Sequence, residues 1–263
     1  MSAVILQNEI VHFEVLGRGR PVLFLHGWVG SWRYWIPAMQ AASISYRAYA
    51  LDFWGFGDTA KQSDRYLLLD QVNLIEAFME HMGIAKVAII GHGLGAVIGV
   101  MFAARFPAYV DRLMAVSLPV GNASLSPRLL SDSPEELAEW LLGRSPDTEA
   151  VRYEAPKTDA QAISITINSL DPDQILMTAT QLATPVLIVH GLNDLAFPIT
   201  NLDQHLVELP EQDHLIYFEQ SGHFPMLDEP SKFNRLMSDF LLLKSGESPT
   251  QLQLKEEWKR RVR

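Results

Sequence analysis

Val87-Ala88-Ile89-Ile90-Gly91-His92-Gly93-Leu94-Gly95 is the stretch that decides the fold. An apolar run too short for a helix enters a turn with a glycine at every second position, and from Leu94 to Phe106 the pattern reads as a helix. Similar short runs occur at Pro21–Leu25, Tyr46–Leu51, Leu113–Ser117, Val186–His190 and Leu215–Phe218, mostly closed by glycine, proline or a polar turn. Runs that are apolar on both faces are the mark of buried parallel strands. Helical patterns such as Tyr66–His81 fall between them. Strands that alternate with helices predict right-handed crossovers and an α/β fold, a mostly parallel central sheet flanked by helices. Functional residues are then expected at the carboxyl ends of the strands. Upstream, Ala3–Gln7 and Ile10–Leu16 flank Asn8-Glu9 and precede Gly17-Arg18-Gly19, which predicts antiparallel strands at the start.

The alternation stops after Leu118-Pro119 and resumes at Thr184-Pro185-Val186. Between them, Ser133-Pro134-Glu135-Glu136 is a helix start with carboxylates in its first turn, and strand signals are scarce. Residues 119–183 are therefore predicted to form a small helical cap inserted after the strand ending near Ser117, with 1–118 and 184–244 as the core. Residues 245–263 form a tail that is helical in part, with Leu254, Trp258 and Val262 on one face beside Lys255, Lys259, Arg260, Arg261 and Arg263. Such a tail is solvated, packs on its own body, or meets a protein or an anionic surface.

With 263 residues, 48% hydrophobic and 20% charged, the chain suits one main domain with an insertion. No apolar run reaches the ~20 residues of a membrane span, and Met1–Ile10 lacks the basic and apolar segments of a secretory signal. Cysteine is absent, which excludes disulfides and thiolate metal sites and fits a cytoplasmic location. A net charge of −10 argues against nucleic acid as a partner and favours a small apolar or neutral ligand.

Four separated motifs then combine: His26-Gly27-Trp28 after the first core strand, Asp52-Phe53-Trp54-Gly55-Phe56-Gly57-Asp58 after the next, the Gly91 to Gly95 turn, and the pair Asp194 and His223 in Gly191-Leu192-Asn193-Asp194 and Ser221-Gly222-His223-Phe224-Pro225. In this order and spacing the chain resembles the α/β-hydrolase superfamily up to about Lys244, and its capped esterases and carbon–carbon bond hydrolases in particular. The resemblance implies a G-x-S-x-G nucleophile elbow at Gly91–Gly95, followed by an acid and a histidine. It also implies an oxyanion hole from the backbone N–H groups of Trp28 and Leu94. Asp194 would orient His223 and stabilise its protonated form. Gly93 departs from this pattern, because it stands where the family carries its nucleophilic serine.

Without a hydroxyl at 93 no acyl-enzyme can form there, and losing a triad nucleophile costs about 10⁶ in turnover. The scaffold implies hydrolysis of an ester, lactone or carbon–carbon bond in a small apolar substrate, with acyl-enzyme chemistry nearly absent. Residual chemistry would come from the Asp194–His223 dyad acting on water or on an acidic proton. A non-catalytic ligand-binding pseudohydrolase is the alternative. An engineered form of an active hydrolase, its serine replaced by Gly93, is a further one. Ser31 reads as a helix start, Ser117 is distant from the elbow in sequence, and His92 reads as a packed polar residue, so none of them replaces the nucleophile.

Gly91-His92-Gly93-Leu94-Gly95-Ala96 also fits a dinucleotide-binding fingerprint. That fold needs the turn in its first βα unit and an acid after the following strand, where this chain has Ser117-Leu118-Pro119. No cofactor and no metal are expected. His26, Trp28, Phe224 and Trp140 are the residues expected to line an apolar substrate pocket.

Overall fold

The computed structural model describes residues 2–119, 125–143, 145–198 and 213–254. At its centre, eight strands form one sheet in the order β1-β2-β4-β3-β5-β6-β7-β8. They are β1 Ser2–Leu6, β2 Glu9–Gly17, β3 Arg20–Leu25, β4 Tyr46–Leu51, β5 Val87–His92, β6 Val110–Val116, β7 Val186–Gly191 and β8 His214–Phe218. β1 and β2 run antiparallel, joined through Gln7 and Asn8, which both take a positive φ (49° and 67°). From β4 across to β8 every pairing is parallel. All six positions of β5 and of β7 are buried, so both faces of the middle of the sheet are covered. The α/β reading of the sequence is met.

The flanking helices fall into two packed groups. α1 (Ile36–Ala42) meets the long C-terminal helix Pro230–Leu242, while α3 (Leu94–Arg105) meets α2 (Leu68–Met82). α3 has no polar face. Its Leu94 to Val100 run is entirely buried, as befits a helix pressed on β5 and β6. Gly95 makes that approach possible, since a Cβ there would run into the Leu25 carbonyl. α2 starts at Leu68, two residues later than the sequence pattern suggested, because Tyr66 is drawn inward and donates its hydroxyl to Asp159 Oδ2 at 2.8 Å.

Between β6 and β7 the chain forms α4 (Arg128–Ser131), α5 (Pro134–Leu141), α6 (Glu149–Glu154), α7 (Ala160–Asn168) and α8 (Pro172–Thr180). α5 begins with a reciprocal cap: Glu136 N–H donates to Ser133 Oγ at 3.2 Å and Ser133 N–H to Glu136 Oε2 at 2.8 Å. α8 packs against α3 in the helical layer of the sheet. α6 and α7 instead contact the loops at the carboxyl ends of the strands. Glu154, fully buried, accepts from Ser31 Oγ at 3.0 Å and Arg33 Nε at 2.9 Å and pairs with Lys157 Nζ at 3.1 Å. Lys157 also reaches Asp58 at 3.1 Å, and Asp159 N–H donates to the Gly55 carbonyl at 2.8 Å. Beyond Lys244, Leu252 and Leu254 pack back onto the core and His214 Nε2 lies 2.9 Å from the Leu252 carbonyl. The basic helical face expected beyond Leu254 lies outside the described residues.

Candidate active site

Gly93 closes β5 and caps α3 with φ 50° and ψ −111°, a conformation that strains any residue with a side chain. Its N–H donates to the Val116 carbonyl at 2.9 Å, and Gly95 N–H donates to the His26 carbonyl at 2.9 Å. These two bonds fix the turn between β6 and the loop after β3. Leu94, as the first residue of α3, has a backbone N–H with no intrahelical acceptor. The sharp strand-to-helix turn is therefore held by backbone bonds with a glycine at its centre.

Asp194 and His223 lie on the turns after β7 and β8, and Nδ1 of His223 is 2.9 Å from Asp194 Oδ2. The other carboxylate oxygen, Oδ1, accepts from the N–H groups of Ala196 (2.8 Å) and Phe197 (3.1 Å). Burial opposes ionisation of Asp194. The adjacent His223, by charge and hydrogen bond, outweighs it together with His190 and the Phe197 N–H, so the pKa falls well below the usual carboxylate range. Asp194 is thus an anion held by the imidazole it orients. His223 is only 2% exposed.

Trp28 covers the elbow. A Cβ at Gly93 would lie 3.3 Å from its Cε3. Trp28 Nε1–H donates to Thr166 Oγ1 of α7 at 2.9 Å, and its ring meets Phe197 at 5.6 Å between centroids. Phe197 in turn lies 5.2 Å from the His223 ring. Trp28, Phe197 and Leu94 are all buried, so the side chains shown at the elbow and packed on His223 from this side are apolar.

Three more residues expected to line a pocket are placed as follows. His26 is fully buried, with Nδ1 2.8 Å from the Gly27 carbonyl and Nε2 accepting from Phe53 N–H at 3.1 Å, so both ring nitrogens brace backbone and none is left for a ligand. Burial holds its pKa below the ordinary imidazole value. Phe224 is turned into an aromatic cluster with His92 (4.7 Å), His223 (5.1 Å) and Tyr34 (5.6 Å), where it supports the histidine. Trp140 is half-buried in a surface groove beneath Arg128, whose guanidinium carbon is 4.5 Å from the ring centroid, among Glu135, Glu136 and Glu139.

Other contributors gave no signal in the sequence. Thr166, Phe197 and Tyr34 are ordinary residue types outside any motif, and only folding brings them to the elbow. Ser117, distant in sequence, donates its hydroxyl to the His223 carbonyl at 2.9 Å. Ser31 does start a helical turn, accepting from Arg33 N–H at 3.3 Å. Among the described residues, one group has the spacing to hold a cation, His12, Asp52 and Asp58. Asp52 is already engaged there, accepting from Trp32 N–H at 2.8 Å and Asp58 N–H at 3.1 Å and lying 2.9 Å from His12 Nδ1. That group braces loops.

A family described as "alpha/beta hydrolase fold" matches residues 20–162. An uncharacterized protein of Mycobacterium tuberculosis is 25% identical over 279 residues, covering 90% of this chain and 81% of that protein. A protein of Agrobacterium fabrum, provisionally named carbamate hydrolase RutD, is 27% identical over 265 residues, covering 88% and 98%. Among solved structures, the enol-lactonase of Burkholderia xenovorans superposes with a TM-score of 0.78 at 18% identity, covering 92% of this chain and all of that one (100%). With a family match over more than half of its length, the chain belongs to the α/β-hydrolase fold family.

Proposed function

We propose that this protein is a member of the family that works without a covalent nucleophile, with His223 as general base on water or on an acidic proton of a small, neutral, apolar carbonyl compound. The observation that carries this reading is the 2.9 Å Asp194–His223 pair retained beside an elbow whose central residue is Gly93. A carboxylate that only capped its turn would use its oxygens on backbone N–H groups alone. Asp194 commits one oxygen to the imidazole, which fixes the ring's tautomer and stabilises the imidazolium formed when the base takes a proton.

Trp28 and Leu94 N–H groups are the proposed donors to a developing oxyanion, a contribution worth ~3 to 4 kcal/mol each in enzymes where it has been measured by mutation. Helices α4 to α7 form the proposed cap, with Thr166 of α7 bonded to Trp28 and Phe197 packed between Trp28 and His223. Esters, lactones and carbamates suit these apolar surroundings, and the names of the carbamate hydrolase and enol-lactonase relatives point to the same carbonyl chemistry. A ligand-binding protein with no turnover is the second reading, favoured by the near-complete burial of His223 among Phe197, Phe224 and His92.

Steady-state hydrolysis of p-nitrophenyl acetate and of an enol lactone tests the proposal. Slow turnover with a linear onset and no burst is expected, lost in His223→Ala. Rates that survive His223→Ala contradict it, and no turnover in either form supports the binding reading.

A further inference from the structure

From Gly27, beside the elbow, to the backbone of His223 runs a chain of buried hydrogen bonds that the base mechanism leaves unused. Gly27 N–H lies 2.6 Å from Tyr34 Oη, Tyr34 Oη lies 2.9 Å from His92 Nδ1, and His92 Nε2 lies 2.8 Å from the His223 carbonyl. His92 is fully buried and Tyr34 is 2% exposed. The two ends of the chain admit only one direction. An amide N–H only donates and a carbonyl only accepts, so Tyr34 accepts from Gly27 and gives its own proton to His92 Nδ1, which leaves the His92 proton on Nε2 to meet the His223 carbonyl.

We propose that Tyr34 and His92 are positioning residues, a one-way hydrogen-bond wire that locks the loop carrying Trp28 to the turn carrying His223. This rests on the reading of His223 as the base. Gly27 directly precedes Trp28, a proposed oxyanion donor, and the wire ends on the backbone of His223 itself. It therefore sets the spacing between the two halves of the site.

Three further features support the wire. Burial, with the neighbouring His223, keeps His92 neutral by holding its pKa well below the ordinary imidazole value, and burial likewise keeps the Tyr34 phenol protonated. A charged His92 would point a second N–H at Tyr34 Oη, which already accepts from Gly27. The rings pack as a unit, His92 lying 4.6 Å from His223 and 5.7 Å from Tyr34 between centroids. The same carbonyl takes a second donor, Ser117 Oγ, whose residue adopts φ 48° to reach it.

Nitrogen-15 NMR of the histidine rings in the full-length protein, with Tyr34→Phe and His92→Phe, tests the wire. His92 of the parent protein is expected as the neutral Nε2–H tautomer, with a slowly exchanging downfield proton on His223 Nδ1. Tyr34→Phe is expected to mix the His92 tautomers and to speed solvent exchange of the His223 proton by roughly ten-fold or more, the scale of one lost buried hydrogen bond. Amides of β5 and β6 should keep their protection. His92→Phe keeps a flat ring in the cluster and must give the same loss at His223, which preserves the test if Tyr34→Phe does not fold. A proton on His92 Nδ1 in the parent protein overturns the proposal, as does unchanged His223 exchange in the folded variants or an equal loss of protection in the sheet. These signals need no turnover, so failure of the wire is read separately from failure of the base.

Discussion

The indole of Trp28 stands against Gly93, with Cε3 and Cζ3 at 3.3 and 3.4 Å from the place a Cβ would take. Those separations are tight, and the hydrogen bond to Thr166 limits how far the ring can move aside. A residue other than glycine at φ 50° also carries backbone strain of about 1 to 3 kcal/mol. Gly93→Ser is therefore expected to lower stability by roughly that amount in urea titrations. An unchanged or higher midpoint would show that neither the strain nor the indole is a constraint.

Thr166→Val keeps the shape of the α7 side chain and removes the acceptor of the Trp28 N–H. The donor is buried, so the expected loss of stability is about 1 to 3 kcal/mol. Loosening of the indole should appear as greater acrylamide quenching of tryptophan fluorescence. Quenching identical to that of the parent protein would mean that Trp28 is held by packing alone.

Glu154 joins α6 to the loop after β3 through Ser31 and Arg33, and it is fully buried while Arg33 and Lys157 are about one-third exposed (33% and 29% by side chain). Removing a buried partner of an ion pair costs about 3 kcal/mol at the low end, the appropriate end when the cations keep access to water. Glu154→Ala should show this cost, and hydrogen exchange should accelerate more in α6 and α7 than in the sheet. Uniform acceleration would assign Glu154 to the global fold and deny it a local clasp.

Asp213 gives a pH signature remote from the elbow. Burial pushes its pKa up to about 7 from an ordinary 3.8, against the opposing hydrogen bond from Val186 N–H. The unfolded chain releases this proton near pH 4 and the folded chain near pH 7, so stability present at low pH is lost as pH rises between them. Asp213→Asn retains an acceptor for Val186 and cannot ionise. Its stability should match the parent's near pH 4 and exceed it by about 2 kcal/mol at pH 8, a figure reduced for residual solvent screening. A difference in Tm that does not vary with pH would rule out the buried carboxyl as its source.

How far the sequence reaches is instructive in particular residues. Backbone turns were legible, because glycine at 91, 93 and 95 and the Asp194 and His223 turns are local patterns that follow strands. The sheet was legible for the same reason, through short doubly apolar runs. Side-chain destinations were not. His26 and Trp28 stand two residues apart in one loop, yet the first braces Phe53 and the second reaches Thr166, 138 residues away. Trp140 reads as a pocket aromatic by type, and in the structure it lines a surface groove with the guanidinium of Arg128 over its ring. Such choices depend on contacts between distant segments, which a periodicity cannot encode.

Fluorophosphonate labelling followed by mass spectrometry of the modified peptide tests the central claim most directly. The protein should carry no label in the Val87–Arg105 peptide or on any other serine in a His223-dependent way, while Gly93→Ser should label at residue 93 and lose that label in combination with His223→Ala. A serine of the parent protein that reacts and requires His223 would reveal a displaced nucleophile, and the account of a base working without one would be wrong.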